Sequence, residues 1–485
     1  MRYKIALHGF GASPIVFKYL IELAAKENAP IDWCMILPTP EHRALVRSVL
    51  PRSDILDVYR ALPRNPVGGD HGLLAEYPGN LAEDLGADKR PWGAQSGRKR
   101  FARGLDYHLL YKKFLIERGA THFLAPQIEG AEGKIAVATA CQLGLPVMLP
   151  IDCRSLTGTF FAADANAGLP AHAAPREDLM SRSAEFIERF RKSSMPAQSA
   201  PKDFTPIDGD DELIGDGPSS LPERLAGFVR KTAERPDLFV PDQIRASFLN
   251  NLPTLRDRWW GFRTSRAARE FDIGELGALP KRFIYYPLQV SPEASINTPA
   301  PYYVDQIRAI DALRLAMPPD CALVVKEHWA GIGFRSFDFV RRVRKLPGVL
   351  VAKYTINSRD LILRASLTCA VTGTAAFEAF LLGRPGLALG PGLSHWALGN
   401  GSTSGPLRDE IAARIDRPIP DQTVIERVAT LLSVRYPFLF VSPFYPGEPM
   451  LRRGNMRRMY EALIDHLARL DAHGARSGKA HTRAS

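Results

Sequence analysis

The chain has 485 residues, 45% of them hydrophobic and 24% charged, with a net charge of +11 and a pI near 9.4. Single cores stop growing beyond roughly 250–300 residues, so at least two domains are expected. No apolar run reaches the roughly 18 residues that a membrane span needs, which excludes a transmembrane helix.

The basic excess suits acidic partners such as nucleotide phosphates, anionic glycans or an anionic membrane face. Nucleic acid is not expected as a partner: no binding motif is present, and most Arg and Lys alternate with Asp and Glu. The five cysteines, Cys34, Cys141, Cys153, Cys321 and Cys369, form no Cys-x-x-Cys pair, and four lie in or beside apolar runs. They read as small buried hydrophobes in a reducing compartment, with no zinc site. The first residues carry no long apolar segment, so a cytoplasmic protein without a signal peptide is expected.

In chain order, residues 3–7 alternate into a strand, and His8-Gly9-Phe10-Gly11 forms a turn. A helix over 16–26 and a strand over 31–37 follow, an opening that predicts a parallel sheet. Glycines 9 and 11 resemble the start of a dinucleotide fingerprint, but no third glycine and no acidic ribose partner follow, so a tight turn is the reading. Residues 63–104 are rich in Pro, Gly, Asp and Arg and read as a loop. Its basic cluster, Ser96-Gly97-Arg98-Lys99-Arg100-Phe101-Ala102-Arg103, is a solvated run or, functionally, a patch for an anionic acceptor.

A helix over 105–117, a strand over 121–126, a helix over 132–143 capped by Gly144 and a strand over 146–151 come next. Between strand and helix lies Gln127-Ile128-Glu129-Gly130-Ala131-Glu132-Gly133-Lys134. Its carboxylates form a site edge or cap the helix dipole. Asp152-Cys153-Arg154 again puts charge at a strand end. Residues 193–222 are rich in Pro, Ser, Asp and Gly and read as a linker or disordered loop. Residues 223–280 read as a helical connector, with Trp259, Trp260 and Phe262 as packing.

The stretch 283–390 carries the chemistry. Three apolar strands end in polar clusters, and ligands bind at the carboxyl ends of parallel strands. The first ends in Gln289-Val290-Ser291-Pro292-Glu293, the second in Lys326-Glu327-His328, the third in Thr372-Gly373-Thr374. Helices are expected over 303–315, 337–344, 359–365 (with Ser358 as N-cap) and 375–382, the last closed by Gly383. A helix N-terminus with two hydroxyls binds an anion. Glu378, four residues after Thr374, shares its face and suits the hydroxyls of a ribose. Lys326 and His328 fall on one side of their strand, where they can hold and protonate a departing phosphate. A carboxylate at Glu293 serves an anomeric carbon as base or as nucleophile, two uses that sequence leaves open. Residues 451–472 repeat apolar positions at helical spacing, and 473–485 reads as a flexible tail.

These motifs resemble the bacterial capsule polysaccharide biosynthesis proteins, which include β-Kdo transferases. The resemblance lies in Pro287-Leu288-Gln289-Val290-Ser291-Pro292-Glu293-Ala294-Ser295-Ile296, Val324-Val325-Lys326-Glu327-His328, Val371-Thr372-Gly373-Thr374 with Phe377-Glu378-Ala379, and Leu382-Gly383-Arg384-Pro385. It implies an α/β, GT-B-like fold: two doubly wound Rossmann-like domains facing a cleft. The first, 1–192, would be the acceptor side, with Glu129, Glu132, Asp152 and Arg154 as candidates. The second, 281–450, would hold a nucleotide-activated sugar, for this family CMP-linked Kdo.

Glu293 takes the place of an essential Asp, and His328 that of a His followed by Pro. Two positions depart from the family: Glu stands for Asp at 293, and Trp329 for Pro. The resemblance implies a glycosyltransferase of capsular or surface polysaccharide assembly, without metal or redox cofactor, acting on a glycan or glycolipid acceptor and peripheral to the inner membrane. In it Gln289, Lys326, Thr372, Gly373, Thr374 and Glu378 bind the donor, and Glu293 and His328 carry the chemistry. Two other readings stay open. One is a non-catalytic assembly or export protein, favoured by the departures at 293 and 329. The other is a nucleotide-sugar epimerase, whose acid/base pair would come from Glu129, Glu132 and Asp152.

Overall fold

In a computed structural model the chain is described over residues 2–11, 13–66, 75–86, 97–126, 128, 130–164, 166, 168–193, 229, 233–235, 270–290, 294–328, 337–399, 406–440 and 451–481. Gln127, Glu129, Glu293 and Trp329, nearly all of the expected linker and most of the helical connector lie outside these residues.

Two α/β units are present. The first is built on β1 (Tyr3–His8), α1 (Ser13–Lys26), β2 (Ile31–Leu37), β3 (Ile55–Asp57), α2 (Gly97–Glu117), β4 (His122–Leu124), α3 (Gly130–Gln142), β5 (Val147–Asp152) and β6 (Thr159–Ala162). Its sheet runs β3-β2-β1-β4-β5-β6, parallel except for β6, which turns back against β5. Ile5 and Leu7, two apart in β1, point into one core with Phe17 and Leu20 of α1. The turn after β1 needs both glycines. Gly11 sits at φ +58, and a Cβ at Gly9 would come within 3.1 Å of the Met35 sulfur.

The second unit takes α4 (Glu177–Lys192), then β7 (Phe283–Pro287), α5 (Gln306–Ala316), β8 (Ala322–Lys326), β9 (Val349–Ala352), α6 (Ser358–Arg364), β10 (Leu367–Ala370), α7 (Thr374–Leu381) and β11 (Gly386–Ala388). All five strands are parallel, in the order β11-β10-β7-β8-β9. The core holds Ile284, Tyr286, Leu323, Val325, Leu367, Cys369 and Leu387. Strands buried on both faces read as unbroken apolar runs, which is why these were found from sequence. The two doubly wound Rossmann-like units of a GT-B-like chain are therefore present.

The borders of the units run differently from those expected. The residues of α4, which fall inside the expected first domain of 1–192, belong to the second unit. Its last turn is tied there: Arg191 donates to Leu381 O at 3.0 Å and to Asp421 at 2.8 Å, and Arg359 donates to Phe190 O. Residues from Leu431 onward belong to the first unit. Tyr436 and Thr159 exchange two backbone hydrogen bonds of 2.8 and 3.1 Å.

The C-terminal helix α8 (Arg453–His481) puts Met456, Met459, Leu463 and Leu467 into the first core. Each such burial is worth about 1.5–3 kcal/mol. Tyr3 and Tyr436 add hydrogen bonds to Asp471 and Asp465. The helix runs on to His481, where a flexible tail was expected from 473.

The loop expected over 63–104 is also corrected, because α2 begins at Gly97 and takes in the basic cluster. Arg103 is buried and donates to Pro63 O and Arg64 O, and Arg100 donates to Leu85 O. Half of the supposed patch thus holds the fold together. Asn357 rather than Ser358 caps α6, accepting from Arg359 N at 3.0 Å. No described helix is long and apolar enough to cross a membrane.

Candidate functional site

In the second unit the chain leaves β7 toward β8 and β9 on one side and later reaches β10 and β11 on the other. The crevice at such a switch point, outside the carboxyl ends of β7 and β10, is where open α/β sheets take ligands. Gln289 follows β7 and is buried. Its backbone N–H donates to Gln306 Oε1 at 3.1 Å, which also accepts from the Tyr286 hydroxyl at 2.8 Å. Gly373 opens the turn after β10, and a Cβ there would lie 2.5 Å from Gln289 Nε2. The two strand ends therefore meet, and a side chain at 373 would have to displace the Gln289 amide. Thr372, Gly373 and Thr374 are half-buried at the N-terminus of α7.

Behind this turn lies a charged cluster. The Thr374 hydroxyl hydrogen-bonds the Glu378 carboxyl one helical turn later. Burial pushes Glu378 up to about 7, although Thr374, Arg359 and Lys326 all pull it down. Lys326, at the end of β8, is 8% exposed and donates to Ile356 O at 3.0 Å. Its ammonium is pushed below the usual lysine range by burial, with Glu378 opposing. Arg359 is 6% exposed, sits over the Phe190 ring at 5.1 Å and is held below the usual arginine range by burial. The Tyr285 hydroxyl lies 3.3 Å from Ser358 Oγ and is raised by burial. One carboxyl thus shares a low-dielectric site with two cations that desolvation opposes. Such clusters concentrate at functional sites.

Of the residues expected from sequence, Gln289, Lys326, Gly373, Thr374 and Glu378 come together. His328 is half-buried beyond β8, its backbone N–H donating to the Glu327 carboxylate at 2.9 Å. On the first unit, Glu132 lies in the first turn of α3, Asp152 ends β5, and Arg154 is exposed with φ +59. The sequence reading missed Arg359 and Tyr285. A signal for Arg359 was present, because a cation in the first turn of a helix opposes the helix dipole unless other groups hold it. Among the described residues no group of His, Cys, Asp and Glu is placed to hold a metal ion.

No family model and no curated protein matches the chain. Among solved structures it is similar to Thermosulfurimonas dismutans KpsC, a β-Kdo 2,7 transferase, at 14% identity and a TM-score of 0.33, over 74% of this chain and 89% of that one. It is also similar to UDP-GlcNAc 2-epimerase from Neisseria meningitidis bound to UDP-GlcNAc, at 12% identity and a TM-score of 0.25, over 96% of this chain and all of that one (100%). A third is the glycotransferase of kitacinnamycin, at 14% identity and a TM-score of 0.23, over 96% of this chain and 98% of that one. Likenesses of this size assign no family.

Proposed function

We propose that this chain is a glycosyltransferase of capsular or surface polysaccharide assembly that takes its sugar from a nucleotide-activated donor held by the second unit. The observation that carries this reading is the cluster of Glu378, Lys326 and Arg359 behind the Gln289–Gly373 junction at the β7/β10 switch point. A nucleoside phosphate suits it chemically. The backbone N–H groups opening α7 and the hydroxyls of Thr372 and Thr374 take phosphate oxygens. Lys326 supplies positive charge, and Glu378 faces ribose hydroxyls. His328 stabilises the leaving phosphate. Glu293 acts as base or nucleophile at the anomeric carbon, and the motif resemblance favours a CMP-linked, Kdo-like donor. Cations and a helix N-terminus can neutralise the departing charge without a metal.

Thermal unfolding in the presence of CMP, UDP, GDP or ADP tests this. At 100-fold excess over Kd a nucleotide stabilises its unit by about 2.7 kcal/mol, or about 5 °C or more in Tm. A rise with CMP alone supports the Kdo-like donor, and a rise with UDP or GDP alone moves the donor to another sugar nucleotide. No rise with any of the four overturns the donor site. The Gly373→Ala variant is the control. Its Cβ displaces the Gln289 amide, so the nucleotide response should fall about tenfold in affinity while the ligand-free Tm changes little.

A further inference from the structure

The first unit carries a pair of arginines at the carboxyl ends of β2 and β3, the edge at which parallel strands take ligands. The short helix Arg43–Arg47 follows β2, and the single turn Val58–Ala61 follows β3. Arg43 is fixed along one side by Asp57: Nη2 donates to Oδ1 at 3.0 Å, and Nε lies 2.7 Å from Oδ2. Asp57 also caps the turn, accepting from Arg60 N at 3.3 Å. The Tyr59 ring lies 5.7 Å from the Arg43 guanidinium carbon. Two arginines set against one aspartate leave a positive charge over.

That charge is met by Glu234, from far along the chain. Arg43 Nη1 donates to both carboxylate oxygens of Glu234, at 3.0 and 2.7 Å, and Arg60 Nε donates to Oε1 at 2.7 Å. Oε1 is therefore shared by two guanidiniums. Both ion pairs of Arg60 run through Nε, and its two terminal nitrogens make no hydrogen bond among the described residues. The donors outnumber what one planar carboxylate can serve. A phosphate monoester brings three acceptor oxygens and more negative charge, so each nitrogen can have an oxygen of its own. The way in is open, because 57% of the Arg60 side chain is exposed, against 24% for Glu234 and 13% for Arg43.

The neighbour of Glu234 shows how the carboxylate can give way. Arg235 is 4% exposed and donates to Tyr59 O at 2.5 Å and to Leu62 O at 3.0 Å. The backbone is thus anchored whether or not the Glu234 carboxylate is bound, and that carboxylate leaves by turning its own side chain. We propose that Arg43 and Arg60 form a binding site for a phosphate group, and that Glu234 closes it until the phosphate takes its place. All of these residues belong to the first unit, so the site goes beyond the donor reading and does not depend on it.

Calorimetric titration of the full chain with inorganic phosphate, glucose 1-phosphate and acetate tests the site. Flotation with phosphatidylcholine vesicles, with and without phosphatidic acid, runs beside it. Glu234→Gln removes the competing charge and should bind phosphate about tenfold more tightly than the parent, with a smaller gain for acetate. Arg60→Met added to that variant should cancel the gain, and Arg60→Lys should restore only part of it. A gain with glucose 1-phosphate assigns the group to a soluble sugar phosphate, and a gain confined to vesicles with phosphatidic acid assigns it to a lipid headgroup. No gain with any probe overturns the proposal, as does an equal gain for acetate and phosphate, and Glu234 is then a structural ion-pair partner. Should Glu234→Gln fail to fold, Arg60→Met alone decides: it should weaken phosphate binding to the parent about tenfold, and unchanged binding overturns the site. A nucleotide-induced rise in Tm that survives Arg60→Met belongs to the donor site, so the two readings fail separately.

Discussion

Arg359→Met should destabilise the second unit by about 3 kcal/mol, a loss of roughly 8 °C in Tm for a unit of this size. Arg359 Nη2 donates at 2.9 Å to both Phe190 O and Arg191 O. These are carbonyls of the last turn of α4, which the helix itself leaves without partners. A guanidinium at that end also meets the negative pole of the helix. Hydrogen bonds to charged groups are worth about 1.5–3 kcal/mol each, and the variant strands two carbonyls, one buried and one part-buried. Met keeps the apolar stem over the Phe190 ring, so packing loss is small.

The tie extends to a third helix, because Arg191 at the end of α4 donates to Leu381 O, at the end of α7. Each helix end is closed by an arginine from outside it, and α7 is the helix that carries Glu378. Urea unfolding followed by circular dichroism measures the effect. A loss below about 1 kcal/mol would mean that Arg359 is no more than a surface contact. Arg359→Lys should recover only part of the loss, since an ammonium lacks the planar fork.

The residues in this tie also show what sequence could and could not deliver. The strands of the second unit were legible because β7, β8 and β10 are buried on both faces and end abruptly in polar residues. The proximity of Gln289 to Gly373 was not, because it depends on β7 and β10 being neighbours, a strand order that alternation of strand and helix restricts without fixing. The pairing of α4 with α6 and α7 was not legible. It joins residues 190 and 359 across a long separation, and the amphipathic face of α4 states only that something covers it. The same holds for α8, whose periodic Met456, Met459 and Leu463 gave the helix but not its partner.

Arg103 was misjudged for a different reason. Charge counts as solvated by default, whereas the Arg103 guanidinium is held inside the fold by two carbonyl acceptors and by Asp106 at 3.5 Å. His8 was read as part of a turn, whereas it ends β1 and is buried.

The pH dependence of stability should follow Glu378. Its carboxyl is held at about 7 in the folded chain against an ordinary 4.5. Between those values the unfolded chain has lost the proton and the folded one keeps it, so stability falls as pH rises from about 4.5 through 7. The full difference corresponds to about 3 kcal/mol. Because the side chain is only partly buried, on the order of 2 kcal/mol is expected.

Glu378→Gln mimics the protonated form. The variant should match the parent at pH 4 and exceed it by that amount at pH 8, with a flatter profile between. Equal stability of the two proteins at pH 8 would mean that Glu378 is an ordinary ionised partner of Lys326 and Arg359. The same variant should lose most of the nucleotide-induced rise in Tm, because an amide cannot accept two ribose hydroxyls on like oxygens. A gain in stability joined to a loss of ligand response is the signature of a carboxyl kept for binding at the expense of the fold. Lys326 and Arg359 sharpen the same inference. Both are held in desolvated positions that lower their affinity for protons, and a bound phosphate would reverse that cost for Lys326. Nucleotide should therefore stabilise the parent more at pH 8, where Glu378 is ionised, than at pH 5.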